Sequence, residues 1–434
     1  MNFQRTILIF LWVLCAKSLW AQTQTLQLKD AIASACENNK QVVLVNNDEQ
    51  IATAKYKQTD AIFLPQVGVS YTALTTNNPL NAFGFKLQQQ SIAQSDFQPD
   101  LLNHPGNTSN FSAQAMLQQP IFNPDLLYQR KAAKMQIEIS GLQKARTQDF
   151  IKWQTQNEFM QLQLAYEVVK VLEEALTTTK AIYKFTNDRY QQGYLQKSDL
   201  LNVDVRIKSI ETQLASARSA IQNHSDNLSL LMGKPAGTIY MVDSLQALLL
   251  PAEISLPENR SDFQAMSKAS SSYDLMMKST KMSALPKLNG FASYQLNDAN
   301  AFGFHSGSYL AGLQLTWNIF QGNKVHSTIN EQKLQQRKIN TELLQMKDKN
   351  QNELNAAQRN LSDAAYQIMQ TKASVQQAQE VLNILQNRYK QGLAGITDVL
   401  LAQSQLSQQQ LAYQQAILMQ NVAVVYIQFL TADN

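Results

Sequence analysis

Apolar residues near the end of the chain recur at steps of three and four. Leu354, Ala357, Leu361, Ala364 and Ile368 begin the series; Val375, Ala378, Leu382, Leu385 and Tyr389 continue it, with only Thr371 interrupting. This spacing predicts a helix with a heptad seam. Much of the seam occurs 199 residues earlier, at Leu162, Ala165, Val169, Leu172, Leu176, Tyr183 and Tyr190. The earlier helix is expected from about Pro124, a residue suited to a first helical turn, to Tyr190. At 1.5 Å per residue it would be roughly 100 Å long, far beyond an ordinary globular helix.

Helices of this length alone would describe a fibrous coiled coil, but the segments between them alternate with a period of two. In Pro65–Leu74, Val67, Val69, Tyr71 and Ala73 oppose Gln66, Gly68, Ser70 and Thr72. In Phe111–Gln119, Phe111, Ala113, Ala115 and Leu117 oppose Ser112, Gln114, Met116 and Gln118. Lys287–Leu296 alternates less cleanly, with Phe291 on the polar side, and Tyr309–Phe320 sets Tyr309, Ala311, Leu313, Leu315 and Trp317 on one face. Four strands in two hairpins are predicted, each near the ~9–11 residues of a tilted membrane strand.

Each hairpin lies between helices. Leu64-Pro65 and Leu285-Pro286 mark the two starts, and Pro120-Ile121-Phe122-Asn123 parallels Asn318-Ile319-Phe320-Gln321 at the two ends. The connection from about Thr75 to Asn110 is long and polar, as outer loops of membrane barrels are. Four strands cannot close a barrel, and open edges in lipid leave backbone groups unpaired at several kcal/mol each. Several copies must therefore share one barrel.

Composition adds a direction of export. The first residues carry Arg5, an apolar run from Ile7 to Leu14, and Leu19 and Ala21, which allow cleavage after Ala21, the pattern of a secretory signal. Leu14 stands where a lipidated Cys15 would need a small neighbour, so lipidation is not expected. Beyond the signal Cys36 is the sole cysteine, which excludes an intrachain disulfide. The formal net charge of +4 gives no reason to expect nucleic acid as a partner. With only 14 Gly and 10 Pro, long uninterrupted elements are favoured.

Nothing in the chain has the spacing of an enzyme. His104, His224, His305 and His326 match no metal-ligand pattern, although His104 and His305 fall in the two expected outer loops. No phosphate loop or nucleophile elbow occurs, and no cofactor is expected.

The two long helices end in nearly the same words: DRYQQGYLQKSDLLNVDVRI from Asp188 and NRYKQGLAGITDVLLAQSQL from Asn387. Arg189, Tyr190, Gly193 and Asp199 align with Arg388, Tyr389, Gly392 and Asp398. Gly193 and Gly392 suit the left-handed end of a helix, and Ser198-Asp199 and Thr397-Asp398 suit the cap of a returning one.

This duplicated phrase, the paired strand starts and ends, and Asn259-Arg260-Ser261-Asp262-Phe263 together resemble the TolC-like family of outer-membrane efflux proteins over the whole mature chain. The resemblance implies a mixed α+β membrane protein, a long α-helical coiled-coil barrel plus a transmembrane β-barrel completed by a homotrimer. It implies a signal peptide over 1-21, a first repeat over 22-232 with a hairpin at about 64-122 and a helix pair at about 124-232, and a linker over 233-258 with short irregular elements. The second repeat would span 259-434, with a hairpin at about 285-320 and a helix pair at about 322-430.

The implied function is the outer-membrane channel of a tripartite efflux or type I secretion system. Its partners would be a periplasmic adaptor, an inner-membrane transporter and outer-membrane lipid. Selection lies mainly with the transporter, so drugs, metal ions and polypeptides stay open as cargo. Arg189, Tyr190, Gly193, Arg388, Tyr389 and Gly392 would form the adaptor-contact turns. Asp199, Tyr389, Asp398 and Ser198 would form a periplasmic gate, in which Tyr389 pairs with Asp199. Two positions depart from the family: Leu401 replaces an acidic residue and Ala394 a basic one, which puts an acidic ring and an arginine closing link in doubt. The competing reading is a periplasmic coiled-coil adaptor with no channel of its own.

Overall fold

The computed structural model describes residues 23–249 and 255–432. The expected signal, with Arg5 and Cys15, lies outside them. In chain order the elements are β1 (Thr23–Thr25), α1 (Leu28–Asn38), α2 (Lys40–Gln58), β2 (Gln66–Thr76), α3 (Pro79–Gln88), α4 (Pro99–Asn103), β3 (Thr108–Phe122), α5 (Pro124–Gln191) and α6 (Lys197–Leu231). The second half continues with β4 (Ile239–Met241), α7 (Ser261–Met282), β5 (Lys287–Asp298), β6 (Ser306–Thr316), α8 (Lys324–Lys390) and α9 (Ile396–Leu430). No described helix is long and apolar enough to cross a membrane.

The chain divides into two units, one from residues up to Asn47, Leu142–Gln264 and Leu344–Asn434, the other from Asp48–Gly141 and Ala265–Leu343. The second unit carries an antiparallel sheet in the order β2-β3-β5-β6. Its register turns the sequence alternation into two continuous faces. Val69, Ala115, Tyr294 and Tyr309 form one row across all four strands, and Val67, Leu117, Ala292 and Ala311 the next. On the opposite face the rows are Ser70, Gln114, Gln295 and Ser308, then Thr72, Ser112, Asn297 and Ser306.

Phe291 stands on the polar face in the row of Gln118 and Gly312. A Cβ at Gly312 would lie 3.0 Å from the Phe291 ring, so the glycine makes room for it. Val69 and Leu313 are mostly exposed although apolar. A sheet whose apolar face is uncovered fits lipid rather than water.

The long connection between β2 and β3 is not a bare loop. Asn78 caps α3 by accepting from the Asn81 N–H at 3.2 Å, and Pro79 and Pro99 each open a helix. Phe83 and Phe97 meet edge to face at 5.7 Å. Lys86 reaches Asp96 at 2.7 Å, and hydrogen bonds from the Ala93 N–H and Lys86 hold the Asp96 carboxyl below the usual range.

The first unit is mostly helical. The parallel pair β1–β4 packs over a core that includes Ala31, Ala35, Phe159, Leu162, Leu228 and Tyr240. The segment after α6 is therefore tied into the fold around β4. The last helix ends in a polar clamp. Arg260 is 1% exposed, grips Asp262 through two nitrogens at 2.7 and 2.8 Å, and donates to the Leu430 carbonyl at 3.1 Å. Arg146 donates to the Phe429 carbonyl at 2.9 Å and lies over its ring. These arginines satisfy carbonyls at a helix C-terminus, where the macrodipole favours cations. The helix they hold, α9, carries one charged residue along its whole length, Asp398.

Candidate functional site

Both long helices reverse by the same backbone device. In the first, the Gly193 N–H donates to Tyr190 O at 2.9 Å and the Tyr194 N–H to Arg189 O at 3.0 Å. In the second, Gly392 donates to Tyr389 O at 3.0 Å and Leu393 to Arg388 O at 2.8 Å. Both are Schellman ends, which need a left-handed residue; Gly193 has φ +82° and Gly392 φ +74°.

The returning helices start two or three residues earlier than the sequence suggested. Gln196 and Gly395 are the cap residues, with extended backbones. Asp199 and Asp398 stand in the first turn, and each reaches back to accept the cap N–H at 3.2 Å. The aspartates thus supply one half of a capping box, and they lie near the positive end of the helix dipole. The Ser198 hydroxyl, expected to cap or to gate, sits 3.4 Å from Gln196 Oε1.

The duplicated tyrosines part company. Tyr190 is 37% exposed and Tyr389 is 5% exposed. Tyr389 packs in a cluster with Ile182, Val203, Leu382, Ile396 and Val399, and meets Phe185 edge to face at 5.5 Å. Its hydroxyl lies 2.9 Å from Thr186 Oγ1. Thr186 gives its only proton to Ile182 O at 2.9 Å, so Tyr389 is the donor. Burial above all pushes the Tyr389 phenol up, with the Asp199 charge adding to it.

The expected Tyr389–Asp199 hydrogen bond is therefore corrected for the single chain. The tyrosine proton goes to Thr186, and Asp199 acts on it through charge while its carboxylate holds the Gln196 N–H. A seam defined by apolar residues alone gives no sign of Thr186. Ala165, Leu172, Thr179 and Thr186 are seven residues apart and all buried, each threonine bonded back to its own helix.

A second link spans the two reversals. Arg189 Nη2 donates to Lys390 O at 2.7 Å, at the carbonyl end of α8, and its guanidinium lies 4.9 Å from the Phe185 ring centre. An arginine link thus exists although position 394 is alanine. Arg388 and Leu401 are exposed. Among the described residues no group of His, Cys, Asp and Glu could hold a metal, and His104 and His305 form no such group.

The sequence model of outer membrane efflux proteins matches residues 31–234 and 255–433, nearly the whole chain. The chain belongs to the outer membrane efflux protein family. Among solved structures, CusC superposes with a TM-score of 0.78 at 17% identity, over 94% of this chain and 92% of that one. The CmeC outer membrane channel of Campylobacter jejuni gives 0.72 at 18% identity, over 93% and 85%. VceC, an outer membrane protein of Vibrio cholerae, gives 0.70 at 17% identity, over 92% and 95%. No curated protein matches the chain.

This outer membrane efflux protein has the fold of those channels, a helical barrel with a β-domain whose barrel closes on trimerisation. It is an outer-membrane channel with a long periplasmic helical extension, and not an enzyme. Membership in the family sets aside the reading as an adaptor without a channel.

Proposed function

We propose that three copies of this chain form one duct that receives cargo from an inner-membrane transporter, through a periplasmic adaptor, and releases it outside the cell. The observation that carries the reading is the four-stranded sheet, with β2 and β6 as its edges and one face apolar across the rows of Val67 and Val69. Only pairing of β6 with β2 of the next copy satisfies those edges in lipid. Three copies supply twelve strands, an even number within the range of closed barrels.

The two halves, 22-232 and 259-434, act in this reading as repeats, each sending a hairpin to the membrane and a helix pair to the tip. The reversals at Gly193 and Gly392, with their flanking Arg189, Tyr190, Arg388 and Tyr389, make the adaptor contact. Tyr389, Asp199, Asp398 and Ser198 line the gate, which Arg189 and Thr186 help to hold shut. Detergent-solubilised protein should have the mass of three chains plus a micelle. A stable, folded monomer would overturn the proposal.

A further inference from the structure

An apolar band and a basic collar adjoin where the sheet meets its helices. The register sets Gln66 beside Gln118, Phe122 beside Leu288 and Thr316 beside Lys287, so all four strands join helices at one end of the sheet. Phe63, Ile121, Phe122, Trp317, Ile319 and Phe320 lie at that end, and each is more than half exposed. The Trp317 indole N–H donates to the Ala284 carbonyl at 3.0 Å, which ties the ring to the turn before β5.

The adjoining helix ends are basic, and all belong to the unit that carries the sheet. Lys55 and Lys57 lie in the last turn of α2 and Lys281 in that of α7. Lys324 opens α8, and Lys131 and Lys134 follow the start of α5. All six are exposed, and among the described residues none is in a salt bridge. Segments 55–65, 120–134, 281–288 and 316–324 hold only two carboxylates, Asp60 and Asp125. Both are paired, Asp60 with Arg130 and Asp125 with Lys287. The excess positive charge is therefore left to an external partner.

The helix macrodipole accounts for half of the collar. Cations at the C-termini of α2 and α7 complement it, whereas Lys324 at the first position of α8 opposes it. Lys131 and Lys134 lie beyond the first turn of α5, where the dipole no longer acts. Lys131 Nζ stands 5.2 Å from the centre of the Tyr128 ring. No lysine of the collar starts more than about 15 Å along its helix from the strand ends, and a lysine stem can reach back toward an interface.

In the trimeric reading above, on which this inference rests, the apolar face of the sheet meets lipid. We propose that the collar binds the phosphates of anionic phospholipids in the periplasm-facing leaflet of the outer membrane, with their acyl chains against the apolar band. Lipids of net negative charge are then held around the base of the barrel in preference to zwitterionic ones, and salt weakens the preference.

The test uses phospholipids with brominated acyl chains, which quench a tryptophan only on contact. The purified protein is reconstituted in phosphatidylcholine mixed with phosphatidylglycerol, with one or the other brominated. Trp153 lies in the other unit and gives a constant background. At low salt Trp317 should favour phosphatidylglycerol by about fivefold, the effect of one lysine near an anionic surface. High salt should abolish most of that preference. Lys131→Gln, Lys134→Gln and Lys324→Gln together should lower it toward unity. A second reporter, Phe302→Trp with Trp317→Phe, sits on the β5–β6 connection at the other end of the sheet, where Phe302 stacks on Tyr71, and should show no preference. Equal quenching of Trp317 by the two lipids at low salt would overturn the proposal without any variant, as would the same preference at both reporters. If neither lipid quenches Trp317, the barrel reading itself fails; if both quench it equally, only the collar fails.

Discussion

The Tyr389 hydroxyl donates to Thr186 Oγ1 at 2.9 Å, joining α8 to α5 across 203 residues of sequence. The bond is buried, it connects the two halves of the chain beside their reversals, and it is absent at Tyr190, the repeat-related tyrosine, which stays exposed. Together with the Arg189 link to Lys390 O, it holds the second reversal to the first.

A neutral buried hydrogen bond contributes about 1 kcal/mol, roughly a fivefold change in a two-state equilibrium. Tyr389→Phe keeps the ring on Phe185 and removes the donor. Thr186→Val removes the acceptor. Each should raise open probability in planar bilayers by roughly fivefold, and the double variant should add little. Additive effects would show that the two groups act separately.

Arg189→Lys tests the other link. Lysine keeps the charge but loses the planar fork and the stacking on Phe185. Open probability should rise with Arg189→Lys and about as much with Arg189→Ala. Full closure in Arg189→Lys would mean that charge alone suffices.

Much of this was legible in the sequence, and the parts that were not have physical causes. Strand faces could be read because a period of two leaves one choice of side. Even Phe291, which broke the alternation, sits on the polar face that its position dictates. The reversals were legible through their glycines, since few residues tolerate a positive φ. The partner of Tyr389 was not, because threonine at a seam position looks like a polar interruption until its hydroxyl is seen bonded to its own helix. Nor were α3 and α4, whose short helices lie in a stretch that reads as a polar loop.

On the lipid-facing side of the sheet, Val69→Arg and Leu313→Arg should each impair trimer assembly, whereas Ser70→Arg should be tolerated. Arginine facing mid-bilayer lipid costs ~2–4 kcal/mol, and a hydrated lumen position avoids that cost. Folded trimer recovered from outer membranes is the measurement. Equal yields of all three would overturn this assignment of the faces.

At Gly392 a side chain meets open space apart from Arg189 Nη1 at 3.8 Å, so substitution tests the backbone alone. Gly392→Ala should cost ~1–2 kcal/mol of local stability. Amide exchange at residues 387–396 should quicken by roughly tenfold, and Gly392→Asn should be milder.

Glu158 on α5 accepts from His224 Nδ1 at 2.8 Å and from Asn227 at 3.0 Å on α6. Burial would raise its carboxyl, but these bonds and the His224 charge outweigh it and hold it below the usual range. A lowered carboxyl stabilises the fold above its unfolded pKa, and the gain is lost as pH falls through the folded value. Wild-type protein should therefore lose stability on acidification below about pH 4.5, and Glu158→Gln should lose less over the same range. Identical acid profiles would exclude this pair as a contributor.

The last helix, α9, has Asp398 as its one charged residue, and its exposed positions include Gln405, Gln408, Gln415 and Gln428. Amide side chains neither gain nor lose protons at any pH a cell meets. Beyond Asp398, whatever part of this helix borders the passage therefore presents the same surface in an acidified periplasm as in a neutral one. Cargo moving past it would meet a wall indifferent to pH.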